Sequence, residues 1–102
     1  MSDHRAVTIA RKFVREVGRE FPVERAYLFG SFAKRKADEN SDIDVCVVSK
    51  AFGKDYFGEE MRLRSLSVRV DPRLSPVAFN PEDLRDPYSQ LADEILRHGV
   101  QL

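Results

Sequence analysis

Val7, Ala10, Phe13, Val14 and Val17 recur at the three- and four-residue spacing of one helix face, with charged residues between them. The pattern predicts an amphipathic helix over residues 3–19, with Gly18 near its end and Pro22 beyond it. Ala26-Tyr27-Leu28-Phe29 is a short apolar and aromatic run that stops at Gly30, and it predicts a buried strand over 25–29. A short helix from Ser31 to about Lys36 follows, then a polar loop over 37–41 with the Asp38-Glu39-Asn40-Ser41 cluster as its turn chemistry, then a second strand over 42–48. Gly53 and Gly58 bracket a mobile-looking segment rich in aromatics, Phe52, Tyr56 and Phe57, and Met61 to Leu66 continue as helix. From Ser67 to Asp71, Val68 and Val70 alternate with Arg69 and Asp71, which predicts a third strand interrupted by Pro72 and extended or paired by Leu74 to Phe79. In the tail, Asn80-Pro81-Glu82-Asp83 starts a helix whose apolar stripe is Leu84, Tyr88, Leu91, Ile95 and Leu96. Gly99 stops it, and residues 100–102 form a terminal strand.

Helices and strands thus alternate without repeats or low-complexity segments. The expected architecture is an α/β (α+β) domain, a small mixed β-sheet with helices packed mainly on one face. At 102 residues, 42% hydrophobic and 33% charged, the chain fits one domain with one core over 1–102, which leaves no room for a separate substrate-recognition domain. Lys plus Arg and Asp plus Glu are both 17, so the net charge that drives sequence-independent binding to nucleic acid is missing, and stable coating of RNA or DNA is not expected. The one cysteine, Cys46, lies in the apolar run Val45-Cys46-Val47-Val48 and reads as a small buried hydrophobe. Residues 1–10 carry Asp3, His4 and Arg5 and no long apolar stretch, so neither a signal peptide nor a membrane span is expected, and a cytoplasmic location is the default.

Residues 30–44 carry the chemistry. Side chains two apart on a strand share a face at about 6.5–7 Å, so Asp42 and Asp44 project together while Ile43, Val45 and Val47 face the other way. Two carboxylates so placed repel unless a cation neutralises them, and a hard divalent ion, Mg²⁺ or Mn²⁺, suits their oxygens and brings phosphate with it. Gly30 and Ser31 stand where a helix N-terminus would offer backbone N–H groups to phosphate, and Ser31 adds a hydroxyl. Asp71, the last residue of the expected third strand, is the candidate third carboxylate. It would permit a second metal about 3.5–4 Å from the first, or act as general base for an acceptor hydroxyl.

Gly30-Ser31-Phe32-Ala33-Lys34 followed by Ser41-Asp42-Ile43-Asp44-Val45 resembles the signature of the minimal nucleotidyltransferases, small members of the DNA polymerase beta-like superfamily. The preceding Ala-Tyr-Leu-Phe strand, Asp71, the segment Leu74 to Phe79 and the ending from Glu94 to Val100 extend the resemblance over nearly the whole chain. It implies transfer of a nucleoside monophosphate, AMP from ATP, to an acceptor hydroxyl, with divalent metal on Asp42, Asp44 and Asp71 and triphosphate at Gly30 and Ser31. It also implies a helical partner of the HEPN type in a toxin–antitoxin pair, with the transferase as antitoxin. Two positions depart from the family pattern: Arg35 stands where glycine is usual, reshaping the loop or reaching a phosphate, and Pro72 constrains the backbone beside Asp71.

Blander readings stand beside these. Ser31 also suits a helix N-cap, Lys34-Arg35-Lys36 a solvated basic helix end or else a contact for phosphates or a nucleic-acid acceptor, and Glu82 and Asp83 a helix start. His4 and His98 sit near a terminus and a helix stop, and neither indicates a metal site. The stripe from Leu84 to Leu96 reads as core, with any excess apolar surface available to a homodimer or a partner helix. The competing function, of a different class, is a catalytically weak module that binds a nucleotide or acts on a helical partner by contact alone. A nucleotide-binding subunit of a larger enzyme is a third.

Overall fold

The computed structural model describes residues 3–34, 36–38 and 40–102. Ala6, Ala10, Phe13 and Val17, one per turn, are fully buried along the first helix, α1 (Asp3–Val17). Gly18 closes it by donating its N–H to the Val14 carbonyl at 2.9 Å. The chain continues through β1 (Val23–Phe29), β2 (Ile43–Ser49), α2 (Tyr56–Val70), β3 (Leu74–Phe79), α3 (Pro81–Leu84), α4 (Gln90–His98) and β4 (Val100–Gln101). Among the described residues, no helix is long and apolar enough to cross a membrane.

The strands form one mixed sheet in the order β3-β2-β1-β4. β1 pairs antiparallel with β2, which sets Phe29 opposite Asp44, and with β4 on its other side. β3 runs parallel to β2 with Ser75 beside Asp44, and the parallel pair is joined by α2, since parallel neighbours need a crossover longer than a hairpin. Alternation along β2 then separates two cores. Ile43, Val45 and Val47 pack with Ala10, Phe13, Leu28, Phe32, Phe52, Leu63 and Leu66 under α1 and α2. Cys46 and Val48 pack with Tyr27 and Phe29 on the other face, under Leu84 of α3 and Ile95 of α4. The two 15-residue helices therefore cover one face, and only the short α3 and the nine-residue α4 cover part of the other. Each large side chain fully buried here, such as Phe13, Phe32 or Phe52, contributes about 1.5–3 kcal/mol relative to exposure. Burial also pushes the Cys46 thiol up to about 12, with Asp83 adding to the effect, which leaves it inert as expected of a packed hydrophobe.

Three elements differ from expectation. Ser31 to Lys34 is a turn and not a helix, closed by the Lys34 N–H on the Gly30 carbonyl at 3.1 Å and the Lys36 N–H on the Ser31 carbonyl at 2.9 Å. Residues 67–70 are not a strand but the last turn of α2: Leu63, Leu66 and Ser67 are buried at helical spacing while Val68 is exposed. Pro72 ends that helix, because it disfavours helical geometry at the residue before it, and Asp71 is accordingly extended at φ −164° and ψ 127°. The tail holds two helices, not one. Asn80 caps α3 with a capping box to Asp83, the Asp86-Pro87-Tyr88 segment interrupts the helix, and Ser89 caps α4 by accepting the Ala92 N–H at 3.0 Å. Tyr88 and Leu96 of the expected core stripe are exposed as a result. The aromatic segment before α2 is also held down: Phe52 is buried against Phe21, and Glu59 accepts the N–H groups of Gly53, Lys54 and Asp55.

Candidate active site

Gly30 follows the end of β1 and turns the chain in a left-handed conformation, φ +73°, which favours a residue without a Cβ. The space beside it is taken by Asp44: a Cβ built on Gly30 would stand 2.2 Å from Asp44 Oδ2. The β1–β2 register brings about this approach by placing Phe29 opposite Asp44. Two residues on, Phe32 is buried in the larger core and anchors the turn beneath it. The loop that leads back to β2 is braced at Asp38, whose N–H donates to Ser41 Oγ at 2.9 Å and whose carboxylate accepts the Asn40 N–H at 2.8 Å. Ser41 therefore shapes the loop, and the exposed Asp42 enters β2 directly after it.

Asp44 is half-buried, and its carboxyl is raised from 3.8 to about 6. Desolvation is the largest cause, followed by the charges of Asp42 and of Glu94; the Ser75 side chain across the parallel ladder works in the opposite direction. Glu94 reaches this neighbourhood from α4 through an ion pair with Lys34, 60 residues away in sequence, which ties the turn after Gly30 to the helix on the same face. A pair of carboxylates that repel one another, one of them poorly solvated and packed against a backbone turn, fits a divalent cation: Mg²⁺ is commonly held by one or two carboxylates with substrate phosphate and water completing the shell. Among the described residues, no group of three or more potential ligands converges.

Among the described residues, Asp71 does not join this pair in a group of three potential ligands. It caps the C-terminus of α2, with its N–H on the Ser67 carbonyl at 2.9 Å. Its carboxylate takes both Arg73 Nε, at 3.0 Å, and the second guanidinium nitrogen, at 2.7 Å. These Arg73 bonds, with Arg5 a further positive neighbour, hold the Asp71 carboxyl below its ordinary value. The position next to Asp44 on β3 belongs to Ser75, and Asp71 ends a helix where the end of a strand was expected. Asp71→Asn is expected to leave nucleotidyl transfer within about threefold while lowering stability by about 1 kcal/mol at neutral pH, as for a partly exposed ion pair. Chemical denaturation and an activity assay on the same preparation check both halves. The expectation that Arg35 reaches a phosphate falls outside the described residues. Ser75 and Glu94 are the site's neighbours that sequence reasoning did not place there: nothing in a parallel register, or in the 60-residue separation of Glu94 from Lys34, is visible along the chain.

The geometry sets a left-handed glycine turn against a carboxylate pair on a mixed sheet. Residues 10–98 match the model of the nucleotidyltransferase domain family. The chain belongs to that family and is by that membership a nucleotidyltransferase, in agreement with the resemblance to the minimal members of the polymerase beta-like superfamily. Solved structures share the fold. A protein of Sulfolobus solfataricus described as a candidate nucleotidyltransferase superposes with a TM-score of 0.70 at 22% identity, over 97% of this chain and 80% of that one. A toxin–antitoxin structure with AMP-PNP gives 0.57 at 20% identity, over 99% of this chain and 72% of that one. The MntA-HpeT toxin–antitoxin carrying a Y104A mutation gives 0.58 at 23% identity, over 100% and 72%. No curated protein matches the sequence.

Proposed function

We propose that this chain transfers AMP from ATP to an acceptor hydroxyl with Mg²⁺ or Mn²⁺ held by Asp42 and Asp44. The observation that carries the reading is the packing of Gly30 against Asp44, which puts a turn able to approach phosphate closely and a carboxylate pair in one place. The ion would neutralise the triphosphate and the charge that develops during transfer. Backbone N–H groups of the Gly30–Ser31 turn and the Ser31 hydroxyl orient the phosphates, and burial of Phe32 keeps that turn in position. The acceptor oxygen forms a bond to the α-phosphorus, the bond to the β-phosphate bridging oxygen breaks, pyrophosphate leaves, and the acceptor proton passes to solvent. Asp71 has no part in this scheme, since Arg73 occupies its carboxylate.

The partner is the second part of the proposal. Two structures of this fold are described as toxin–antitoxin assemblies, one with an ATP analogue, and the resemblance in sequence points to a helical protein of the HEPN type as partner and acceptor. Exposed Tyr88 and Leu96, on the side of the sheet covered by α3 and α4, offer apolar surface to it. Incubating the protein with ATP labelled at the α-phosphate, Mg²⁺ and an extract of the native host is expected to label one band, and Asp42→Asn/Asp44→Asn to label none. Absence of label with every nucleoside triphosphate would favour a module that binds its partner without chemistry.

A further inference from the structure

The outward side of α2 is apolar where a solvated helix is normally polar. Leu63, Leu66 and Ser67 face the core, and on the opposite side Phe57, Met61 and Val68 are 78%, 52% and 65% exposed. With Arg64 they fall at i, i+4, i+7 and i+11, a single stripe along about 16 Å of helix. Glu60 stands on one flank of it, one turn before Arg64. Their spacing favours an ion pair within the helix, yet the salt bridges among the described residues include neither of them. Among the described residues, both side chains stand without an ionic partner.

This flank and stripe complement themselves. When two copies of a helix pack antiparallel about a two-fold axis, each flank meets its own copy running in reverse. An axis at Arg62 sets Glu60 opposite the Arg64 of a second copy, and the reverse, so the pair forms twice and each charge is neutralised once. An axis midway between Arg62 and Leu63 sets Phe57 opposite Val68, with the Met61 side chains near the centre. The two positions differ by half a residue, under about 1 Å of helix rise, so one arrangement satisfies both conditions.

We infer that the α2 stripe is the interface of a homodimer, with α2 packed antiparallel on its copy and Glu60 and Arg64 exchanged across the two-fold axis. A weak, reversible dimer is expected, because a single helix stripe makes a small contact. It lies on the sheet face opposite Asp44, so the dimer leaves the carboxylate site open and its existence does not depend on the transfer activity.

Sedimentation equilibrium of the full chain over roughly 1–200 µM tests it. The wild type is expected to pass from monomer to dimer in that range. Glu60→Arg alone and Arg64→Glu alone each oppose like charges and are expected to weaken the dimer at least about tenfold. An equimolar mixture of the two single variants restores opposite charges across both contacts, and the mixture, like the double reversal Glu60→Arg/Arg64→Glu, is expected to recover dimer. Both positions changed, 60 and 64, are exposed, so circular dichroism should report unchanged folding. A wild type that stays monomeric at the highest concentration overturns the homodimer and leaves the stripe to a different protein. Single reversals that dimerise as the wild type does, or a mixture that fails to recover, overturn the antiparallel arrangement.

Discussion

Asp44→Asn is expected to reduce nucleotidyl transfer by about 10³-fold or more while making the metal-free protein more stable at neutral pH. The two effects have one origin. Asp44 is half-buried beside Asp42 and within the field of Glu94, so its ionised form is disfavoured and its carboxyl is raised to about 6. That cost is useful only to a cation, which the asparagine amide binds far less well. The amide keeps the shape of the carboxyl and removes the charge. For a carboxyl raised from 3.8 in the unfolded chain to about 6 in the fold, the extra stability belongs to the protonated form: it is complete below about pH 4 and is lost as pH rises through about 6. The variant should therefore match the wild type at pH 4 and exceed it above pH 7, by a few degrees in Tm for a domain of this size. Thermal unfolding of both proteins from pH 4 to 8 without metal, then with Mg²⁺, measures this. Mg²⁺ should raise the Tm of the wild type at pH 7.5 and leave Asp44→Asn unchanged. Equal transfer by the two proteins would remove Asp44 from the metal role.

The carboxylate pair and the Gly30 turn were legible along the chain because both depend on short spacings. Alternation in a strand fixes which way Asp44 points relative to Ile43 and Val45, and β2 keeps that alternation in the fold. The surroundings were not legible. Val68 and Val70 fit a period of two and equally the tail of a helical period begun at Leu63, and only the presence of a core beneath Leu63, Leu66 and Ser67 decides for the helix. That single ambiguity misplaced Asp71, since a carboxylate that ends a strand and one that caps a helix face different neighbours. The break at Asp86-Pro87 hid in a stripe whose Leu84, Leu91 and Ile95 do pack in one cluster although two helices carry them. Ser75 and Glu94 reach Asp44 through the β2–β3 register and the Lys34 ion pair, both products of tertiary assembly.

Gly30→Ala is expected to lower transfer about 100-fold or more and stability by about 1–2 kcal/mol, the reverse of the stability change in Asp44→Asn. Two separate demands meet at this position. The backbone is at φ +73°, where any L side chain is strained by about 1 kcal/mol, and the new methyl would stand 2.2 Å from Asp44 Oδ2 and 3.1 Å from its Cγ. The carboxylate is the end of a side chain with two rotatable bonds, so it gives way before the sheet does. Rotation relieves the clash at small cost in stability but carries the ligand oxygen away from its place, and a displacement of about 1 Å at a reacting centre is enough for a loss of this size. A double-mutant cycle separates the two demands. In an Asp44→Ala background the oxygen is gone, and Gly30→Ala should then cost only the backbone strain, so the coupling between the positions is the part due to contact. Urea unfolding of the four proteins at pH 7.5 gives that coupling. A value near zero would mean that the turn and the carboxylate do not meet in solution as they do in the fold, and the assignment of Gly30 to the phosphate turn would go with it.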